Sequence, residues 1–290
     1  METGANLWQN LWQNLPRRES TCYKKAATLP MAGLTGGVFL KKLVLSASVM
    51  LFCGTLPLCA QGIAADSPPA PAATSNRTAA AMLATCVATL PREALDLVGT
   101  LTVRKQRGIV VSEHPYRLSV DWGANPQRVQ CDLMDDQGKP QQRLTIIRRN
   151  GTPELELRSG ADLTPQPMPA LSARVLDTDM SWLDLTLDFL WWQDVKLERE
   201  DEVLNRTCDV LLAKPPTPIP GCSGVRIWLL RDNGFLMRAE QLDPNGHPLR
   251  RMSVRDVKQF KDRWFISELD VVAEKSDFRT RLFVNNILKP

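Results

Sequence analysis

The sequence predicts a mainly β protein with inserted helices (α+β), a single curved antiparallel sheet forming an incomplete barrel plugged by short helices. Three observations lead there. About eleven or twelve short runs between Leu95 and Val284 alternate apolar and polar residues or are rich in β-branched types. Turn chemistry separates them at steady spacing, as in Asn150-Gly151, Asp232-Asn233-Gly234 and Pro244-Asn245-Gly246. One stretch breaks the pattern: Asp179 to Val195, DMSWLDLTLDFLWWQDV, holds three of the chain's eight tryptophans. An antiparallel meander this long, without βαβ alternation, has to curl towards closure.

The chain starts with a leader. Residues 43–60, LVLSASVMLFCGTLPLCA, are uncharged, follow Lys41-Lys42 and are succeeded by small residues. That is the pattern of a secretory signal peptide, cleaved after Ala60 or near Ala64-Ala65. Gly54 and Pro57 speak against a permanent transmembrane anchor. The expected domain plan is an over-extended N-terminus over 1–30, a signal peptide over 31–65, a Pro/Ala spacer over 66–77 and one domain over 78–290. Lipid anchoring through Cys59 is the alternative; Leu58 stands where a lipoprotein signal wants a small residue. Beyond Ala60 the chain carries 30 basic and 30 acidic residues, so the formal +4 belongs to the leader. A neutral exported chain lacks the basic surplus that nucleic-acid binding requires.

Cys86, Cys131, Cys208 and Cys222 remain after processing. A hairpin turning on the prolines after Lys214 would set Cys208 opposite about Arg226 and Cys222 opposite about Leu212. Those positions are too far out of register for a disulfide. No CxxC and no Cys/His cluster is present, so neither a metal nor another cofactor is expected.

In order, Thr78 to Leu90 is rich in helix formers and stops before Pro91, which predicts a first helix. Strands follow from Leu95 to Ser159, and Ala161 to Leu176 reads as a proline-spotted crossing. A helix is expected from about Ser181 to Leu190, opened by a Ser181/Asp184 capping box and apolar around most of its circumference. Asp184 and Asp188 would form its solvated edge. The acidic run Glu198 to Glu202 reads as a solvated strand end with its turn, and strands then resume to Val284. In LDLVGTLTVRK, Leu95, Leu97, Leu101 and Val103 share one face; in GVRIWLLR, Val225, Ile227 and Leu229 oppose Arg226, Trp228 and Leu230.

The apolar stretch with FLWW is followed by Arg206-Thr207-Cys208, Val225-Arg226-Ile227-Trp228, Asp243-Pro244-Asn245-Gly246, Trp264 and RTRLFV. In that order they resemble the LolA-like branch of the outer-membrane lipoprotein-sorting proteins. Phe265 departs from the pattern, standing where Ile or Val is expected. The resemblance implies a periplasmic, non-enzymatic carrier of acyl lipid or lipoprotein cargo, monomeric and loaded by an inner-membrane transporter. The cavity and plug residues it points to are Trp182, Leu185, Phe189, Leu190, Trp191, Trp192, Trp228 and Trp264. The family's lid-locking arginine has two candidates, Arg104 and Arg117. Two rivals stand beside the carrier: a sensor of mislocalised lipoproteins using the same cavity, and a lipid hydrolase. For the hydrolase no nucleophile–base pair is evident, since Gly221-Cys222-Ser223-Gly224-Val225 lacks the elbow's last glycine. His114 and His247 both read as exposed loop residues.

Overall fold

The structure, a computed structural model, describes residues 77–105, 108–260 and 263–289, without the side chains of 260, 263, 264 and 289. The expected N-terminal extension, signal peptide, Cys59 anchor and nearly all of the spacer lie outside the described residues. Ser75 to Pro290 forms one compact unit.

Helix α1 (Ala79–Thr89) is capped by Thr78, whose Oγ1 accepts from the Ala81 amide at 3.2 Å, and it ends with an extended Leu90 before Pro91. Its buried face carries Met82, Leu83 and Cys86. Six strands follow: β1 (Leu95–Lys105), β2 (Val110–Asp121), β3 (Gln127–Met134), β4 (Pro140–Arg149), β5 (Thr152–Ser159) and β6 (Thr164–Gln166). A second run comprises β7 (Asp194–Val203), β8 (Arg206–Lys214), β9 (Gly224–Leu230), β10 (Leu236–Leu242), β11 (Pro248–Phe260), β12 (Arg263–Ala273) and β13 (Phe278–Lys289). The thirteenth strand over the expected count is β6, which lies inside the stretch read as a crossing.

All strands join one antiparallel sheet in the order β6-β5-β4-β3-β2-β1-β13-β12-β11-β10-β9-β8-β7. Neighbours are consecutive in sequence except at the β1–β13 seam. The chain therefore enters mid-sheet, works out to one edge at β6, and must reach the opposite edge at β7 before returning. Thirteen strands laid flat at ~4.8 Å spacing would span roughly 58 Å. The link between β6 and β7 has to cross that width, which puts the tryptophan-rich stretch over the sheet's inner face. The sheet is not closed into a barrel, because β6 and β7 do not pair with each other.

The link does not form the single helix expected from Ser181 to Leu190. It makes helix α2 (Trp182–Thr186) and a 3-10 turn (Asp188–Trp191), broken at Leu187, whose φ of 49° is left-handed. The break breaks the even helical stripe and turns the Asp188 and Asp184 carboxylates towards different partners. The capping box is present, with Ser181 Oγ accepting from Asp184 N and Asp184 Oδ2 accepting from Ser181 N.

Period-two alternation sets the two faces. Leu97, Leu101 and Val103 of β1 are buried, as are Val225, Ile227 and Leu229 of β9. Gly99 leaves room where Tyr116 crosses β1: a Cβ there would lie 2.0 Å from the Phe283 carbonyl oxygen and 2.4 Å from the tyrosine ring. Through that gap Tyr116 donates its hydroxyl to the Phe283 carbonyl at 3.0 Å. The acidic run at Glu198 lies inside edge strand β7 rather than at a strand end. Charged side chains along an edge discourage further strand pairing. Cys208 pairs in register with Leu230, and Arg226 pairs with Leu212, so the hairpin is offset four residues from the expected register at Cys208. All four described cysteines are free and buried. His114 sits within β2 rather than in a loop, with Nε2 2.5 Å from Asp177 Oδ1.

Candidate functional site: an apolar hollow under a tethered plug

The inner face of the sheet encloses a cavity of about 180 Å³. Its walls come from Leu97 and Leu101 of β1, Tyr116 and Leu118 of β2, Val129 and Cys131 of β3, Leu269 of β12, and Leu282 and Val284 of β13. Cys86 and Leu90 from the α1 segment, and Met180, Leu185, Leu187 and Leu190 from the link, complete it. Among its few polar liners are Arg148, Asp184, Thr186 and Gln127.

Two buried arginines fasten the link. Arg148 of β4 donates to Asp188 Oδ1 at 2.6 Å and to the Gly151 carbonyl at 3.2 Å. Its guanidinium lies 3.9 Å over the Trp191 ring, and Trp192 Nε1 donates to the other Asp188 oxygen at 3.2 Å. Arg250 of β11 approaches Asp184 Oδ2 with its Nε at 3.9 Å and donates through a terminal nitrogen to Gln241 Oε1 at 3.2 Å. Gln241 of β10 in turn donates to Ser181 Oγ at 2.6 Å and Asp184 Oδ1 at 2.8 Å. A third tie is the Asp179 amide donating to Thr280 Oγ1 of β13 at 2.7 Å. Burial pushes the Asp184 carboxyl above its ordinary value, against the pull of Arg250, and burial lowers Arg250. Desolvation outweighs pairing on both sides of that contact. Asp184 and Asp188 are thus buried and partnered, which corrects the expected solvated edge.

The structure distributes the eight predicted residues unevenly. Leu185 and Leu190 line the cavity. Trp182, Phe189 and Trp192 are buried in the core cluster behind the lining, the last two with rings edge to face at 6.5 Å. Trp191 is half-buried under Arg148. Trp228 belongs to the outer face: its Nε1 donates to Asp201 at 2.9 Å and Arg199 and Arg238 lie over its ring. Parity along β9 puts it opposite Ile227, so it does not reach the hollow. The side chain of Trp264 lies outside the described residues. Neither Arg104 nor Arg117 touches the link in the contacts seen: Arg117 pairs with Asp96 at 3.0 Å and Arg104 lies over Phe283. Sequence reasoning missed Arg148 and Arg250, although each shares its strand's inner parity with apolar residues, Ile146 and Met252 respectively.

Chemically the hollow is a place for apolar matter. Burial pushes the Cys86 and Cys131 thiols that line it up to about 12, which keeps them protonated. Among the described residues no group of His, Cys, Asp and Glu is arranged to hold a metal ion.

A family model described as "-like: Uncharacterized protein" matches residues 166–288. No curated protein sequence matches the chain. Among solved structures, a DUF1329 family protein from Desulfovibrio piger is 13% identical with a TM-score of 0.61, covering 72% of this chain and 90% of its own. A domain assigned to outer membrane lipoprotein sorting from Vibrio parahaemolyticus is 11% identical with a TM-score of 0.61, covering 72% of this chain and 91% of its own. A LolA superfamily protein from Nitrosomonas europaea is 15% identical with a TM-score of 0.56, covering 73% and 93%. At these identities the likeness is one of fold, and the chain is built on the fold of LolA-like proteins.

Proposed function

We propose that this chain is a periplasmic, non-enzymatic carrier of lipid or lipoprotein, sheltering acyl chains from water in its inner hollow. One observation carries the reading: the concave face is walled by leucines, valines and a tyrosine, yet the link crossing it leaves about 180 Å³ unfilled. At about 15 Å³ of such space per water, that is room for roughly a dozen water-sized groups. Burying a methylene contributes ~0.8 kcal/mol, so one chain of that size gains on the order of 10 kcal/mol. Release requires the link to lift, and its polar ties to Arg148, Gln241 and Arg250 are the contacts that have to exchange. The likeness in fold to a domain assigned to lipoprotein sorting supports the same reading. Loading by an inner-membrane transporter and work as a monomer complete the proposal. Native mass spectrometry of the protein isolated from its own cell envelope tests it: discrete adducts with acyl-lipid masses are expected, and a lipid-free protein that also takes up no acyl chain from added vesicles overturns it.

A further inference from the structure

One wall of the hollow ends on a pair of polar side chains. On the β3–β4 ladder Gln127 stands opposite Arg148 and Val129 opposite Ile146, and all four line the cavity. Cys131 and Leu133 continue the same face of β3 along the lining. From Gln127 to Leu133 the wall therefore passes from polar to apolar over roughly 20 Å, at the rise of an extended strand. A guest lying along it has a place for a head beside Gln127 and Arg148 and a place for a tail beyond them.

Each of these two polar groups has something left to offer. Both hydrogen bonds that Arg148 makes among the described residues leave from Nη1, to Asp188 Oδ1 and to the Gly151 carbonyl, so Nη2 remains a donor. Gln127 Nε2 donates to the Trp122 carbonyl at 3.2 Å, which fixes the orientation of the amide and leaves Oε1 as its acceptor. That oxygen is buried and finds no hydrogen-bond partner in the protein. Buried acceptors left unpaired are rare in folded chains and call for a reason. The last torsion of a glutamine is soft, so a small turn presents the oxygen to a group in the hollow. A directly opposed pair has its Cβ atoms ~5 Å apart, the scale of one small functional group.

Charge narrows the choice of guest. Asp188 already neutralises Arg148 at 2.6 Å, and the Asp184 carboxyl lines the same hollow. An anionic head would bring an unpaired charge into an apolar space, which is costly. A neutral carbonyl with an N–H beside it satisfies both free groups at once. Given the carrier function proposed for this hollow, on which the inference rests, we propose that it selects acyl chains in amide linkage. The amide carbonyl accepts from Arg148 Nη2, and the amide N–H donates to Gln127 Oε1. An ester of the same chain keeps the first bond and has no hydrogen for the second, which leaves Oε1 unpaired under the guest. Gln127 is then the residue that tells the two linkages apart.

Displacement of the neutral dye N-phenylnaphthylamine by the N-methylamide, the methyl ester and the carboxylate of dodecanoic acid tests it. The wild type is expected to bind the amide at least about ten-fold more tightly than the ester, ~1.4 kcal/mol, and more tightly than the carboxylate. Gln127→Leu should bring amide and ester to within about two-fold of each other, a change of ratio that a general loosening of the wall does not produce. The comparison of ligands on the wild type decides the matter even if the variant fails to fold. A wild type that holds amide and ester equally, or the carboxylate as tightly as the amide, overturns the amide head and leaves the carrier function standing. A folded Gln127→Leu protein that keeps the wild-type ratio overturns the part given to Gln127. Failure of all three compounds to displace the dye or to bind in calorimetry overturns the amide head and the carrier function together.

Discussion

Replacing Arg148 by Met removes one member of a buried ion pair and leaves the Asp188 carboxylate facing an apolar wall. The pair is 2.6 Å apart, with side chains 4% and 11% exposed. Breaking such a pair costs ~3–5 kcal/mol, a large share of the ~5–15 kcal/mol that holds a domain together. For a unit spanning Ser75 to Pro290, each kcal/mol moves the melting temperature by about 2–4 °C, so a fall of roughly 6–20 °C is expected. Methionine keeps apolar contact with Trp191 but gives up the cation–π contact and the hydrogen bond to the Gly151 carbonyl along with the ion pair. Adding Asp188→Leu removes the orphaned charge and should restore most of the loss, less ~1 kcal/mol for the Trp192 N–H that loses its acceptor. Calorimetry and urea unfolding of the wild type, both single variants and the double variant complete the cycle. Additive losses in the double variant, or a loss under ~1 kcal/mol in Arg148→Met, would refute the view that this pair fastens the link.

Three further outcomes are expected. Gly99→Ala should cost at least ~1–3 kcal/mol in urea unfolding, because its Cβ meets the Phe283 carbonyl and Tyr116 at the β1–β13 seam; an unchanged midpoint would mean that Tyr116 moves freely. The Asp184 carboxyl is raised by burial, so the folded state holds its proton more tightly than the unfolded chain does between the ordinary and the raised value. Wild-type stability therefore falls relative to Asp184→Asn as pH rises through that window, and parallel unfolding at about pH 4 and about pH 7 should show the variant gaining; a constant difference contradicts it. Cys86 and Cys131, pushed up to about 12, and Cys208, pushed up to about 11, should resist iodoacetamide in the native protein and react in urea; equal rates in both would contradict their burial.

The strands were legible because alternation and turn residues are local signals, and LDLVGTLTVRK matches β1 end to end. The link was legible as an apolar insert but not in its path. Leu187 breaks the helix in a left-handed conformation that nothing in its own residue type announces. Asp184 and Asp188 look like a solvated stripe when only their own helix is considered. Their burial follows from Arg250 and Arg148, far away in sequence and on the inner parity of their strands. A cation on an apolar strand face requires a buried acid, and Asp184 and Asp188 are two of the four aspartates the apolar stretch offers. Trp228 was expected at the hollow on the resemblance, whereas strand parity with Arg226 puts it on the outer face, where its Nε1 donates to Asp201.

The central claim is a hollow that takes an acyl chain, and a probe titration on a filled variant tests it most directly. Leu269 lines the cavity from β12 between Val254 and Leu282, so Leu269→Trp adds ring atoms to the hollow itself. A fluorescent fatty acid should bind the wild type saturably with a blue-shifted emission, and bind the folded Leu269→Trp protein at least about ten-fold more weakly, ~1.4 kcal/mol or more. Equal binding by both proteins, with the variant's melting temperature intact, would contradict an acyl site inside the sheet.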